Sequence, residues 1–187
     1  MRPFDTVILT TERLSLRPLV PSDAEALFAV FSDPQVMRYW STAPWSSVDA
    51  AHELLAKDTA AHAAGEYIRL GIALQGTEVI FGTCTLFDFV AQSRRAELGY
   101  AMASAMWGHG YMHEALSALV AFGFDELDLN RIEADIDPRN AASARSLERL
   151  GFVKEGHLRE RWIVEGEVSD SDLYGLLRSD WLATSTR

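Results

Sequence analysis

Cysteine is almost absent from this chain, with Cys84 the single one in 187 residues. That excludes an internal disulfide framework and fits a reducing compartment. No apolar run approaches the ~20 residues of a membrane span, and the start lacks a basic-then-apolar leader. A cytoplasmic protein without membrane contact is therefore expected. Basic residues are in deficit, 17 against 27 acidic ones, giving a net charge of −10. Such an excess repels nucleic acid and makes a cationic partner easier to accommodate. Repeats, low-complexity tracts and linkers are also missing. What remains is read as one globular unit over 1–187, because a chain of this size buries about 70% of its extended surface.

Periodicity supplies the elements. Residues Arg13 to Leu19 alternate apolar and polar, as a half-buried strand does. Ser22 with Glu25 forms a capping box for a helix over Asp23 to Phe31, which stops before Asp33-Pro34. A loop from Gln35 to Ser47 precedes a second helix, about Val48 to Ala64, ending at Gly65. Strands Tyr67 to Leu74 and Val79 to Phe87 flank the turn Gln75-Gly76-Thr77-Glu78, and Ala96 to Met102 is the next strand. From about Met112 to Leu127, Leu116, Leu119, Val120, Gly123, Phe124 and Leu127 follow helical spacing, so one face must lie against a sheet. Arg131 to Ile136 is a strand before a helix that ends at Gly151-Phe152. Leu158 to Val164 and Val168 to Leu177 form a hairpin through Glu165-Gly166-Glu167. Helices and strands interleave without strict βαβ alternation, which predicts an α/β fold of the α+β type with a mixed sheet.

The densest signal is Trp107-Gly108-His109-Gly110-Tyr111, between the strand Ala96 to Met102 and the periodic helix. Glycine adopts positive φ without a Cβ clash, and the free amides of a helix start carry partial positive charge, so the turn suits phosphate oxygens. A plain strand-to-helix turn would look the same. A second segment, Asp137-Pro138-Arg139-Asn140-Ala141-Ala142-Ser143, also leads from a strand into a helix and favours ligand binding. A dinucleotide fingerprint would need glycine where His113 stands, and a Walker loop would need Lys-Ser or Lys-Thr where Tyr111-Met112 stand.

In order along the chain, Thr11-Glu12-Arg13-Leu14-Ser15-Leu16-Arg17, Glu97-Leu98-Gly99-Tyr100, Trp107 through Ala115, Asn140 through Ser143 and Gly151 through Gly156 resemble the GNAT superfamily of acyltransferases. Within it they resemble the branch of ribosomal-protein N-terminal acetyltransferases. The family's Q/R-x-x-G-x-G/A loop is altered here, Ala105 occupying the Gln/Arg position. The resemblance implies a mostly antiparallel sheet splayed between its fourth and fifth strands, acetyl-CoA as co-substrate, no metal, and a primary-amine acceptor. It places the pyrophosphate on amides from about Trp107 to Met112 (Trp107, Gly108, His109, Gly110, Tyr111, Met112). It sets the pantetheine arm against the strand edge at Tyr100, Ala101 and Met102 and against Asn140, with Ser143 near the sulfur. The unpaired N–H groups of the splayed strand would stabilise an oxyanion. The branch implies a protein N-terminal α-amine attacking directly in a ternary complex; a small amine such as an antibiotic or polyamine, or a non-catalytic acyl-CoA binding module, are the alternatives.

Roles follow, each beside a plainer reading. Glu97 is the first candidate base, since burial could raise its pKa, but it also reads as a solvated strand residue. Relatives carry a carboxylate where Trp162 aligns, leaving Glu160 and Glu165 as substitutes. Ser143 could protonate the departing thiolate, although a thiol of pKa ~8.5 needs little help. Asn140 reads equally as an N-cap. Tyr39, Trp40 and Trp45 could wall the acceptor groove or merely cover the helix pair. His109 and His113 have metal-pair spacing but no third ligand. Cys84 reads as packed. Leu147, Leu150 and Phe152 read as core, and Arg139, Arg145 and Arg149 as a solvated face.

Overall fold

In a computed structural model that describes residues 3–185, alternating strands and periodic helices assemble into one eight-stranded sheet with helices on both faces. The strands are β1 (Leu9–Thr10), β2 (Leu14–Pro18), β3 (Ile68–Leu74), β4 (Ile80–Val90), β5 (Arg95–Met102), β6 (Arg131–Ile136), β7 (Val153–Val164) and β8 (Glu167–Leu177). The α-helices are α1 (Ala24–Phe31), α2 (Pro34–Met37), α3 (Asp49–Ala64), α4 (Tyr111–Asp125), α5 (Ala141–Arg149) and α6 (Arg178–Ser185). Strand order is β1-β2-β3-β4-β5-β6-β8-β7, every pairing antiparallel except β5 with β6.

The predicted mixed, mostly antiparallel sheet is present, and its splay falls between the two strands expected. β5 and β6 pair through Arg95–Arg131, Ala96–Ile132 and Glu97–Glu133, and then part. From Leu98 onward the edge of β5 that faces β6 has no strand partner. The short β1 at one margin makes these strands fifth and sixth rather than fourth and fifth.

Two cores follow from strand alternation. On one face Leu14, Leu16, Ile68, Leu70, Ile72 and Leu98 pack with Leu116, Leu119, Val120 and Phe124 of α4 and Leu147 of α5. On the other, Ala73, Ile80 and Ala101 meet Leu27, Val30 and Phe31 of α1 and Ala51 and Leu55 of α3. The apolar stripe of α4 is thus covered by the sheet, as its spacing requires.

Several local expectations give way to tertiary contacts. Asp23, not Ser22, closes the turn before α1: its Oδ2 accepts from the Val20 amide at 2.8 Å, and its carboxylate takes both Arg17 guanidinium nitrogens at 2.8 and 2.9 Å. A buried carboxylate that matches a guanidinium on β2 outcompetes a local hydroxyl cap. The stretch Gln35 to Ser47 is not all loop, because Asp33 accepts from Gln35 and Pro34 opens the single turn of α2. Strand β7 starts at Val153 rather than Leu158, two residues after the left-handed Gly151, since β8 pairs with it from Val153 onward, with register shifts at Lys154/Gly156 and Leu158/Trp162. Helix α6 lacked a sequence signal; its Trp181 lies 6.2 Å from Phe124.

Candidate active site

The two ordered motifs converge at the fork. Where β5 and β6 part, a cleft of about 490 Å³ opens, lined by Glu97, Leu98, Gly99 and Tyr100 of β5, Asp135 and Ile136 of β6, and Asn140 and Ser143. Its other wall carries Phe31, Tyr39, Trp40, Trp45 and Leu54, with Thr83, Thr85 and Phe87 of β4 between. Side chains from both faces of the sheet border one space, so the cleft passes through the sheet at the gap.

Along β5, alternation sends Glu97 and Gly99 toward α1 and α3, and Leu98 and Tyr100 toward α4 and α5. Gly99 leaves room that the Phe87 ring fills; a Cβ there would stand 3.3 Å from that ring. Glu97 is half-buried, and its pKa is raised by burial first and then by repulsion from Asp135, Asp88 and Glu133, against an opposing pull from Arg161. A raised carboxylate is a stronger base than a solvated one.

Asn140 caps α5, its Oδ1 accepting from the Ser143 amide at 3.1 Å. The Ser143 hydroxyl is 2.5 Å from the Tyr100 phenol oxygen. Burial pushes the Tyr100 pKa up to about 12, against the bond to Ser143, so the phenol stays protonated near neutrality. Ser143 and Tyr100 therefore form a neutral hydroxyl pair that borders the same cleft as Glu97.

The phosphate-type turn lies outside the lining of that cleft, between β5 and α4. Gly108 and Gly110 sit at φ +79° and +78°, both in the left-handed region. Arg13 donates from Nη1 to the His109 carbonyl at 3.0 Å, and Gly110 O accepts from Glu114 N, so these carbonyls are engaged within the protein. Among the described residues, no acceptor takes the amides of Gly108 through Met112. The Trp107 amide differs: it donates to Ser104 O at 3.2 Å, and the indole donates to Met102 O at 2.9 Å.

Glu114, in the first turn of α4, braces this arrangement by holding the segment just before β2. Its Oε2 takes Arg13 Nε at 2.7 Å, and its Oε1 takes the Arg13 amide at 2.9 Å and the Thr11 hydroxyl at 2.5 Å. Arg13 also lies over the Tyr111 ring at 4.7 Å, and Tyr111 stacks on His109 at 5.5 Å. His109 is thereby engaged in ring packing, and among the described residues no His/Cys/Asp/Glu cluster could hold a metal.

The aromatic residues do two things at once. Trp45 stacks on Phe31 at 4.7 Å and Trp40 meets it edge-on at 5.4 Å, so both cover the α1–α3 core. Each also borders the cleft, as does half-buried Tyr39, over which Arg38 lies at 5.2 Å. Glu160 and Glu165 are exposed on β7 and in the β7–β8 turn, and neither borders the cleft, whereas Arg161 and Trp162 do. Arg139 is engaged with Asp137 and Glu167. Cys84 is fully buried and burial pushes its thiol up, so it offers no thiolate to the cleft.

Sequence reasoning missed Asp88, Asp135 and Phe87. Asp135 stands two residues after Glu133 on β6, and only the parallel pairing of Glu133 with Glu97 brings it near Glu97. Asp88 sits at φ +50° where β4 slips register, a position that strand patterning does not mark.

The sheet order, the fork and the glycine turn define an acyltransferase architecture, and comparison with known proteins agrees. The Acetyltransferase (GNAT) domain profile matches residues 13–153. The chain belongs to the GNAT acetyltransferase family and is an acetyl-transferring enzyme. It is 35% identical over 173 residues to the uncharacterized N-acetyltransferase p20 of Bacillus licheniformis, covering 92% of this chain and 97% of that one. A crystal structure of a probable acetyltransferase superposes with TM-score 0.85 at 30% identity, covering 94% and 99% of the two chains. The [ribosomal protein uS5]-alanine N-acetyltransferase of Escherichia coli is 29% identical over 94% of this chain and 93% of its own. Spermidine N(1)-acetyltransferase of Vibrio cholerae is 25% identical over 92% and 98%. No helix among the described residues is long and apolar enough to cross a membrane.

Proposed function

We propose that this enzyme moves acetyl from acetyl-CoA to the α-amine of a protein N-terminus, by direct attack in a ternary complex. The observation that carries the proposal is the through-sheet cleft, which is bordered by Glu97 from one face of the sheet and by the Ser143–Tyr100 pair from the other. The free amides of Gly108 through Met112 suit a diphosphate, and the unpaired edge of β5 beyond Glu97 suits the amide-bearing pantetheine arm. Backbone N–H groups on that edge are fixed donors for an acyl oxygen that gains charge.

In this reading the amine nitrogen bonds to the thioester carbonyl carbon as the C–S bond breaks. Glu97 accepts the proton that the ammonium must lose, directly or through one water, and Ser143 supplies a proton to sulfur and takes back the one that the adduct nitrogen releases. An α-amine has pKa ~8, within reach of a raised carboxylate, whereas a lysine at ~10.4 is harder to deprotonate. Tyr39, Trp40 and Trp45 wall the entry for the residues that follow the amine. Cytoplasmic residence and a one-domain organisation over 1–187 belong to the same proposal.

The direct test is release of free thiol from acetyl-CoA with a panel of peptides, with mass spectrometry locating acetyl on the α-nitrogen. Acetylation confined to spermidine and related amines would overturn the protein N-terminus reading. That second reading has its own support, because Asp88, Glu97 and Asp135 border the cleft and would attract any small polycation.

Two further outcomes are expected. Cys84→Ala retains kcat within about twofold, and intact mass after incubation with acetyl-CoA shows no acetylated enzyme, because the buried thiol takes no part. Ser143→Ala lowers kcat about tenfold below pH 8. That deficit shrinks as pH passes the ~8.5 of a free thiol, where the leaving group departs as thiolate without help. A Ser143→Ala deficit that is constant with pH would argue against proton donation.

A further inference from the structure

The acceptor cleft does not end at the aromatic wall. A second, more open hollow of about 610 Å³ adjoins it and shares Arg69, Thr85, Phe87 and Asp88 with it, adding Glu66 and Phe89. The two spaces therefore form one groove, whose β4 lining runs from Thr83 to Phe89. At ~3.3 Å per residue this is about 20 Å, the span of about six extended residues. A short amine would fill only its inner end.

The charges along the outer half are uneven. Arg69, on the floor, is neutralised: its Nη1 is 2.9 Å from Asp58 Oδ1 and its Nε donates to Thr85 at 3.2 Å. Glu66 and Asp88 are exposed, and among the described residues neither side chain has an ion pair or hydrogen bond. Asp88 stands at the junction, held at φ +50° by the register slip between Phe87 and Val90. Phe87 pairs with Glu97, so Asp88 stands only one residue, about 3 Å, farther along β4 than the partner of the base, whereas Glu66 borders the second hollow alone.

We propose that the acceptor is an extended N-terminal segment that continues from the transfer cleft past Asp88 into the second hollow, and that Glu66, with Asp88 at the junction adding to the negative charge, selects a lysine or arginine at about its third to fifth residue. This rests on the protein N-terminus reading and adds its length and charge requirement. Selection by an exposed carboxylate is modest and salt-sensitive.

The test compares two octapeptides with one N-terminus, bearing Lys or Glu at positions three to five, and a dipeptide with the same first two residues. Wild type is expected to favour the basic octapeptide about tenfold in kcat/KM, and the preference to fade in about 0.5 M salt. Glu66→Lys is expected to lower the basic-to-acidic ratio about tenfold while the KM of the dipeptide is unchanged. Asp88→Asn is expected to lower the same ratio about fivefold, a comparison in which any effect on the chemical step cancels. Equal use of both octapeptides by wild type, or a ratio unmoved by Glu66→Lys, overturns the groove proposal while peptide acetylation itself leaves the N-terminus reading standing. Acetylation of spermidine and of none of the peptides overturns both.

Discussion

Glu97→Gln is expected to lower kcat for transfer to a peptide α-amine by about a hundredfold or more, the usual contribution of a positioned base. Its pH profile carries the sharper signature. In wild type, activity at acid pH falls as Glu97 takes up a proton, over a range shifted above that of an ordinary carboxylate; the variant lacks this limb and keeps only the dependence on the amine. Stability moves the opposite way. Burial and the neighbouring carboxylates raise the folded pKa of Glu97 above its unfolded value. The ionised carboxylate therefore costs folding free energy, none of it below the unfolded pKa of ~4.3 and all of it above the folded pKa. Glutamine carries no such cost, so the variant is expected to melt higher than wild type at pH 8 and to lose that advantage below pH 4. A variant with undiminished kcat would remove Glu97 from the chemistry.

Gly110→Val is expected to raise KM for acetyl-CoA by about a hundredfold with little change in kcat at saturating donor. A side chain at φ +78° costs about 1–2 kcal/mol, more when β-branched. Relaxing that strain turns the adjoining amides away, and each charge-assisted bond lost is worth ~1.5–3 kcal/mol. Gly76→Val is the matched control. Gly76 has φ +76° and open space around it, but lies in the β3–β4 hairpin away from the donor. It is expected to lower the melting temperature while leaving the donor KM at its wild-type value. A shared rise in KM would mean that the Gly110 effect is only general destabilisation.

How much of this was legible depended on how local the determining contacts are. The limits of β6 match the expected strand, and α4 and α3 lie within a residue or two of theirs, because their apolar spacing is set by one face against one sheet. The four residues of α2 span barely one turn, too few for a period to show. Asp23 displaced Ser22 as the turn's acceptor through Arg17, a partner on another element. At the site, the glycine turn and Asn140 could be read because backbone conformation and capping leave marks in short windows. The company of Glu97 could not: Asp135 and Asp88 reach it through strand pairings across β4, β5 and β6. Glu114 stood inside a recognised motif, yet its partner Arg13 lies 101 positions away, so its bracing role appears only when β2 and α4 are side by side.

That brace ties the glycine bend to a distant part of the chain. The carbonyl of His109, in mid-chain, is held by a guanidinium from near the amino terminus, across 96 positions. The bend ahead of α4 keeps this external tie only while the amino-terminal ribbon is docked beside it. On the proposed function, loosening that ribbon would release the amides proposed to hold the diphosphate.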